Sequence, residues 1–136
     1  MPSFGTLKAD TLTHSTAGSL ATNYVVNGSA KAWSNYNQVT PAVTGSLNIA
    51  SVTDVSSGKH TVNFTSSMSD TTYAAATYVR RNTDNDASGA CLISNSTDTK
   101  TTSAMKFKTN YLDGGTAANG LTDYSENGHH FMGDLA

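Results

Sequence analysis

The stretch H-T-V-N-F-T at residues 60–65 shows the clearest secondary-structure pattern in the chain. Its larger side chains, His60, Val62 and Phe64, alternate with small polar ones, and this period of two is typical of a strand with one buried face. The preceding run D-V-S-S-G-K is rich in turn-forming residues, and its Gly58 can adopt a positive φ without steric cost. The pattern therefore predicts a turn followed by a strand that packs one face on a core.

Other segments predict further short strands. The candidates are residues 30–36, 46–52, 60–65, 73–80, 90–94, 103–108 and 130–135, with polar loops at 80–89 (a hairpin) and 112–128. The first places Trp33 on one face, with Ala32 and Tyr36 on the other, and the second keeps its apolar phase only with a bulge near Ala50. In residues 73–80 the odd-numbered positions share a face. No window of 12 residues has a helical period, so we expect an all-β fold, an antiparallel β-sandwich or jelly-roll-like domain.

The composition favours a thin core. Thr, Ser, Asn and Gly supply 61 of the 136 residues, whereas Leu, Ile, Val and Phe supply only 22. Small polar and β-branched residues suit exposed antiparallel strands and their turns. Because a small domain with few large apolar residues gains burial by association, we expect neighbouring subunits to complete the core.

The chain divides into an arm and one domain. Residues 1–28 hold scattered apolar positions with no sustained period, so this segment cannot bury itself but can be ordered by pairing with something else. We expect an extended N-terminal arm at 1–28 and a β-sandwich-like outer domain at 29–136.

Charge and hydropathy exclude several classes of protein. Eight basic and ten acidic residues give a net charge of −2, which excludes nucleic-acid binding through a basic surface. No stretch approaches 18 apolar residues, and the N-terminus has no apolar signal-peptide region, so we expect no membrane insertion and no export signal. The single Cys91 cannot form an internal disulfide, and we expect it to be a small buried residue rather than an exposed thiol.

Residues that could carry chemistry are few and scattered. The histidines are His14, His60, His129 and His130. A metal site needs three or four converging ligands, and adjacent residues such as His129 and His130 point to opposite faces of a strand. Three copies of one histidine could still meet on the axis of a three-fold assembly.

Two further motifs fall short of a site. The loop D-N-D-A-S-G at 84–89 imitates the start of an EF-hand, but its twelfth position is Asn95 rather than glutamate, which favours an Asx-rich turn. There is no G-x-S-x-G motif and only one glutamate, Glu126. We therefore expect no metal, no cofactor and no enzymatic activity.

Aromatic side chains are the remaining binding candidates. Trp33 is expected to pack in the core or at a subunit contact, the alternative being an exposed ring that stacks on sugars. Tyr111 directly precedes the predicted loop at 112–128 and Tyr124 lies within it, so both are better placed to bind a ligand, because loops on rigid scaffolds often carry function.

The sequence resembles a known family. The run K-A-W-S-N-Y-N at residues 31–37 is similar to the K-A-W-[VI]-N-[FY]-N motif of small fibre proteins of tailed bacteriophages, especially marine ones. Residues 46–54, 58–64 and 68–73 resemble further segments of that family in the same order, and residues 5–12 resemble the stretch that often precedes them. The matching motif residues are Lys31, Trp33, Asn35, Tyr36, Phe64 and Tyr73. One departure is Q-V-T at 38–40, where the family usually has a G-T-G turn, so the first hairpin is expected to differ in shape.

The resemblance implies a virion component, made in the host cytoplasm and carried on the tail or capsid surface. It would be a homotrimer that forms a short fibre or knob, with the arm attached to other virion proteins and a host surface glycan as a candidate ligand. A capsid decoration protein or head fibre is the alternative within this class. A soluble carbohydrate-binding module, or a degraded polysaccharide hydrolase with a facing carboxylate pair, are alternatives from other classes.

Overall fold

The computed structural model describes residues 9–16, 18–80, 88–93, 100–113 and 120–136. Within these ranges the chain forms short strands and one short helix. In chain order they are β1 Thr11–His14, β2 Gly18–Ala21, α1 Thr22–Gly28, β3 Ala30–Asn37, β4 Ala42–Leu47, β5 Ile49–Ser56, β6 Lys59–Phe64, β7 Ala74–Arg80, β8 Ser88–Ile93, β9 Ala104–Asp113, β10 Gly120–Leu121 and β11 Glu126–Met132.

Two antiparallel sheets pack face to face, which confirms the predicted all-β sandwich. One has the strand order β4-β3-β11-β7, and the other has the order β10-β9-β6-β5, with β8 also paired to β9. The predicted strand at 130–135 is longer than expected, begins at Glu126 and lies between β3 and β7. The loop predicted at 112–128 is wrong at both ends, because β9 extends to Asp113 while β10 and the start of β11 lie inside it.

The region around β6 follows the sequence pattern closely. His60, Val62 and Phe64 all face the interior, as predicted. Gly58 has a φ of 63°, and a Cβ there would lie 2.6 Å from the carbonyl oxygen of Thr109, so only glycine fits this turn. The bulge expected near Ala50 is present as a register shift between Ile49 and Ser51.

The predicted strand at 46–52 is divided into β4 and β5 at Asn48. This residue has a φ of 55°, a value that asparagine tolerates better than most residues. Its side chain completes the corner, because Nδ2 donates to the carbonyl oxygen of Ser66 at 3.1 Å and Oδ1 accepts from the Ser66 amide at 2.7 Å. The two halves then join different sheets.

The strands on either side of the predicted hairpin loop at 80–89, β7 and β8, belong to different sheets and do not pair with each other as a hairpin. Residues 81–87, which include most of the EF-hand-like loop, lie outside the described residues, as do the side chain of Cys91 and the first eight residues of the arm. The described part of the arm is a β1–β2 hairpin followed by α1 rather than one extended segment. The sequence did not predict these three elements because β1, β2 and α1 have only four to seven residues each, too few to establish a helical or strand period.

The apolar core occupies one end of the space between the sheets. Its buried members are Ala32, Val62, Phe64, Met68, Tyr73, Phe107 and Phe131. The Phe64 and Phe131 rings meet edge to face with centroids 4.8 Å apart, which is a favourable aromatic geometry. The Tyr73 hydroxyl donates to the carbonyl oxygen of Thr101 at 3.0 Å, so its polar end is satisfied while its ring is buried.

Truncation of the central ring should be costly. Phe131 is fully buried, so Phe131→Ala removes its contacts and leaves a cavity, which lowers the free energy of unfolding by about 3–5 kcal/mol. Urea unfolding measures this change. Val39→Ala, which trims an exposed side chain, is the control and should change stability by less than about 0.5 kcal/mol. Equal losses in the two variants would contradict this placement of the core.

Candidate functional site

The other end of the interior is polar. Its buried residues include Ser34, Tyr36, Gln38, His60, Thr109, Tyr124, Asn127 and His129. Buried polar groups normally need hydrogen-bond partners, since an unpaired group costs free energy away from water. This end of the sandwich therefore depends on the pairing of its side chains.

Two histidines join the sheets at the boundary between the polar and apolar ends. The Nε2 atom of His60, on β6, lies 2.9 Å from the Nε2 atom of His129, on β11. The Nδ1 atom of His129 is 3.0 Å from the Ser34 hydroxyl. The Phe107 ring packs on both imidazoles, with centroids 5.6 Å from His60 and 4.6 Å from His129. One Nε2 atom must carry the proton and the other must accept it, so at least one ring is neutral and the two rings cannot both be protonated.

Burial keeps both rings uncharged. Desolvation lowers the pKa of His60 to about 4, although the negative charge of Asp123 opposes the shift. The pKa of His129 is lowered to about 3, chiefly by desolvation and in smaller part by the neighbouring His60 and His130. Imidazoles with such pKa values are weak bases near neutral pH, so the pair acts as an uncharged contact between the sheets.

The stability of the protein should therefore fall in acid. Both folded pKa values lie below the unfolded value of about 6.5, so the unfolded state binds more protons as the pH drops. The contribution of the two neutral histidines to the free energy of unfolding is fully present above about pH 6.5. It declines towards about pH 4, by roughly 1.4 kcal/mol per pH unit for each histidine. Urea unfolding between about pH 7 and pH 5 should show this slope, and His60→Gln should reduce it by about half.

Phe107→Leu is the control for this prediction. It thins the packing around both rings but removes neither imidazole, so it should lower stability at neutral pH and keep the full slope with pH. A slope that His60→Gln leaves unchanged would contradict the neutral pair.

The remaining polar residues hold β3, β11 and the segment that contains Tyr124 together through backbone groups. The Asn127 Nδ2 atom donates to the carbonyl oxygens of Tyr36 and Tyr124, at 3.2 and 3.0 Å. The backbone N–H of Gln38 donates to the carbonyl oxygen of Tyr124 at 2.9 Å. Several buried atoms of this cluster have no hydrogen-bond partner among the described residues: the Tyr36 hydroxyl, Gln38 Oε1, His60 Nδ1 and Asn127 Oδ1. Burial raises the pKa of Tyr36 to about 12, and Asp54 and Asp123 add to the shift.

The two tyrosines predicted as ligand-binding residues are not on an outer loop. Tyr124 is 2% exposed, and its hydroxyl donates to the carbonyl oxygen of Asn110 at 3.2 Å, so its prediction as a binding residue is wrong. Its ring is needed to fill the polar end of the interior. Tyr111 is half-buried on β9, where it pairs with Ala90 and Gly120.

The motif residues divide between the two faces of the sheets. Tyr36, Phe64 and Tyr73 are buried in the interior. Lys31, Trp33 and Asn35 alternate with the buried positions of β3 and lie on the outer side of its sheet. The prediction that Trp33 packs in the core is therefore wrong. The two alternatives, a contact with a neighbouring subunit and an exposed ring that stacks on sugars, stay predictions.

Trp33 belongs to a surface that the register of the sheet defines. Directly paired residues share a face, and one outer row runs Leu47–Trp33–His130–Ala76 across the four strands. The next row contains Gly45, Asn35, Gly128 and Tyr78. We call the surface formed by Trp33, Leu47, Ala76, Tyr78 and His130 the Trp33 face.

Glycines allow the two large rings to lie close to the sheet. A Cβ on Gly45 would meet the Trp33 ring at 3.3 Å, and a Cβ on Gly128 would overlap the Tyr78 ring. The Tyr78 hydroxyl donates to Glu126 Oε1 at 2.7 Å, which raises the pKa of Tyr78, and Arg80 contacts the other carboxylate oxygen at 3.3 Å. Tyr78 is nevertheless 46% exposed, so an oriented aromatic ring faces outwards. The predicted alternation in residues 73–80 contained this signal, because it left Tyr78 on the outer face.

Gly128→Ala should displace the Tyr78 ring. The added methyl group occupies the space of the ring, so the variant loses the packing and the hydrogen bond to Glu126, at a cost of about 1–3 kcal/mol. In a Tyr78→Ala background the same substitution should cost clearly less, because the clash is with that side chain. A double-mutant cycle of urea unfolding measures the difference, and additive losses would contradict the contact.

The described residues contain no group of three or more His, Cys, Asp or Glu side chains that could hold a metal ion. Nor does this part of the chain include a helix long and apolar enough to cross a membrane. Comparison with known proteins gives no match: no family model, no curated protein and no solved structure is significantly similar to this chain.

Proposed function

We propose that this chain is a non-enzymatic structural protein of a bacteriophage virion, a short fibre or knob that assembles as a homotrimer. The motif at residues 31–37 and the segments that follow it support the phage assignment by resemblance. The observation that carries the assembly is the placement of the large apolar side chains. In the proposal, the Trp33 face packs against neighbouring subunits.

The chain has few large apolar residues, yet many of those that the structure describes lie on its surface. The chain has 22 Leu, Ile, Val and Phe residues, and among those that the structure describes ten are exposed, whereas the buried ones are Val62, Phe64, Phe107 and Phe131. Single exposed apolar residues are ordinary, but a contiguous group marks an interaction surface. Leu47, 51% exposed, lies beside Trp33 in one row, and Tyr78 lies in the next.

The arm exposes a second apolar group. Leu12, Leu20, Tyr24 and Val26 are each at least 44% exposed on the β1–β2 hairpin and α1. The hairpin pairs with neither sheet of the sandwich. Isolated two-stranded hairpins are marginally stable in water, so a partner protein would stabilise this one. Attachment of the arm to the virion supplies such a partner.

A soluble carbohydrate-binding module is the second candidate. The flat Tyr78 ring on Gly128 favours it, because an oriented exposed ring can stack on a sugar. This candidate predicts a monomer, whereas the assembly predicts an oligomer. A capsid decoration protein shares the assembly prediction and differs only in its place on the particle.

Light scattering after size exclusion tests the assembly. A trimer gives a mass of three times 14.2 kDa. Labelled antibodies on whole phage particles then test the virion assignment and distinguish tail from capsid. A stable monomer of native fold, or particles that carry no label, would overturn the corresponding part of the proposal.

Charged substitutions on the Trp33 face should dissociate the assembly. In Leu47→Glu/Ala76→Glu, two carboxylates would be buried between subunits, which costs several kcal/mol and is expected to yield a folded monomer. The matched control is Thr53→Glu/Val55→Glu, which places two carboxylates at exposed positions of the other sheet. It should keep the mass of the wild type. Dissociation of the control alone would place the contact on the opposite side of the molecule.

A further inference from the structure

Three lysines meet on the outer face of the other sheet. Lys59 on β6 is directly opposite Lys108 on β9, and Thr61 is opposite Lys106 two residues away. These residues alternate with the buried positions of the two strands, so their side chains share the outer face. The lysines therefore form one cluster across two neighbouring strands.

This cluster holds much of the positive charge of the molecule. The chain has only eight Lys and Arg residues and a net charge of −2. Outer positions beside the cluster carry uncharged side chains, among them Asn63 on β6 and Ser51 and Thr53 on the neighbouring β5. Positive charge concentrated at one place on a surface attracts anionic ligands.

The lysines also line a cavity. It has a volume of about 200 Å³, and its walls include Val55, Lys59, Thr61, Lys106 and Lys108, which we call the lysine cleft. A site that encloses a whole small molecule has about 300–1,000 Å³. The cleft is smaller, so it fits one unit of a longer chain molecule whose other units lie outside.

We propose that the lysine cleft binds an acidic polysaccharide. The ammonium groups would pair with carboxylate or sulfate groups of the polymer, and the Thr61 hydroxyl would bond a sugar hydroxyl. Val55, 58% exposed, and the aliphatic stems of the lysines offer an apolar surface to the face of a sugar ring. The inference rests on the proposed function in one respect, because subunit contact through the Trp33 face leaves the opposite sheet free to meet a ligand.

A nucleic acid fits the cleft less well. Non-specific binding of single strands uses exposed aromatic rings on which bases stack. Phe107 borders the cavity but is 2% exposed, so its ring cannot serve this purpose. The net negative charge of the chain also opposes a polyphosphate that extends beyond the cleft.

Binding to immobilised polysaccharides tests the proposal. The probes are heparin, with sulfate groups, polygalacturonate, with carboxylates alone, and neutral dextran. The wild type should bind one or both acidic polymers but not dextran, and the affinity should fall as salt is raised. Lys59→Gln/Lys108→Gln should weaken binding by about tenfold or more. Lys31→Gln/Lys100→Gln removes the same charge elsewhere and should leave binding within about twofold of the wild type.

The mass of each sample is measured by light scattering alongside its binding. Failure of the polysaccharide site can therefore be distinguished from failure of the proposed assembly. Equal binding to dextran, no binding to either acidic polymer, or equal losses in the two double variants would overturn the polysaccharide site. Preference for a DNA oligonucleotide over both acidic polymers would also overturn it. A trimer that binds nothing contradicts the cleft alone, whereas a monomer that binds through Lys59 and Lys108 supports the cleft and contradicts the assembly.

Discussion

The contact between His60 and His129 is the constraint on which the sandwich depends. It joins one residue of each sheet through a hydrogen bond of 2.9 Å at the point where the apolar core ends. The bond needs one unprotonated Nε2 atom as acceptor, and burial keeps both rings neutral because the charged form is costly away from water. Ser34 and Phe107 fix the two rings in place. Beyond this pair the interior is polar, so loss of neutrality would open the sandwich at its weaker end.

A short supply of apolar side chains explains both the polar interior and the apolar exterior. Within the described part of the chain, four of the Leu, Ile, Val and Phe residues are buried and ten are exposed. Leu47 and Val26 would add to the core if burial within one chain were the only demand on the sequence. Their exposure is accounted for if a second surface covers them. The same reasoning links the Trp33 face to the arm, since neither completes its burial within the chain.

The sequence pattern predicted the elements whose signal is local. Alternation was sufficient for β6 and for the two faces of β3, and the phase break near Ala50 revealed the bulge. It was insufficient for β11, because E-N-G-H-H-F-M contains a glycine and buried polar residues that mimic a loop. The histidine pair joins positions 69 residues apart, and no local pattern encodes such a contact. Tyr124 was misplaced for a related reason, since its burial depends on backbone partners in other strands.

The two outer faces of the sandwich have opposite chemical character, and this difference links the two proposals. One sheet presents Trp33 and Leu47, and the other presents Lys59 and Lys108. Charge repels identical surfaces, whereas apolar surfaces attract, so self-association favours the Trp33 face. Three copies joined in that way would carry three outward lysine clefts. Because linked sites bind a polymer with an effective concentration far above that of separate ones, a small cleft that is weak alone would hold a repeating acidic polysaccharide firmly.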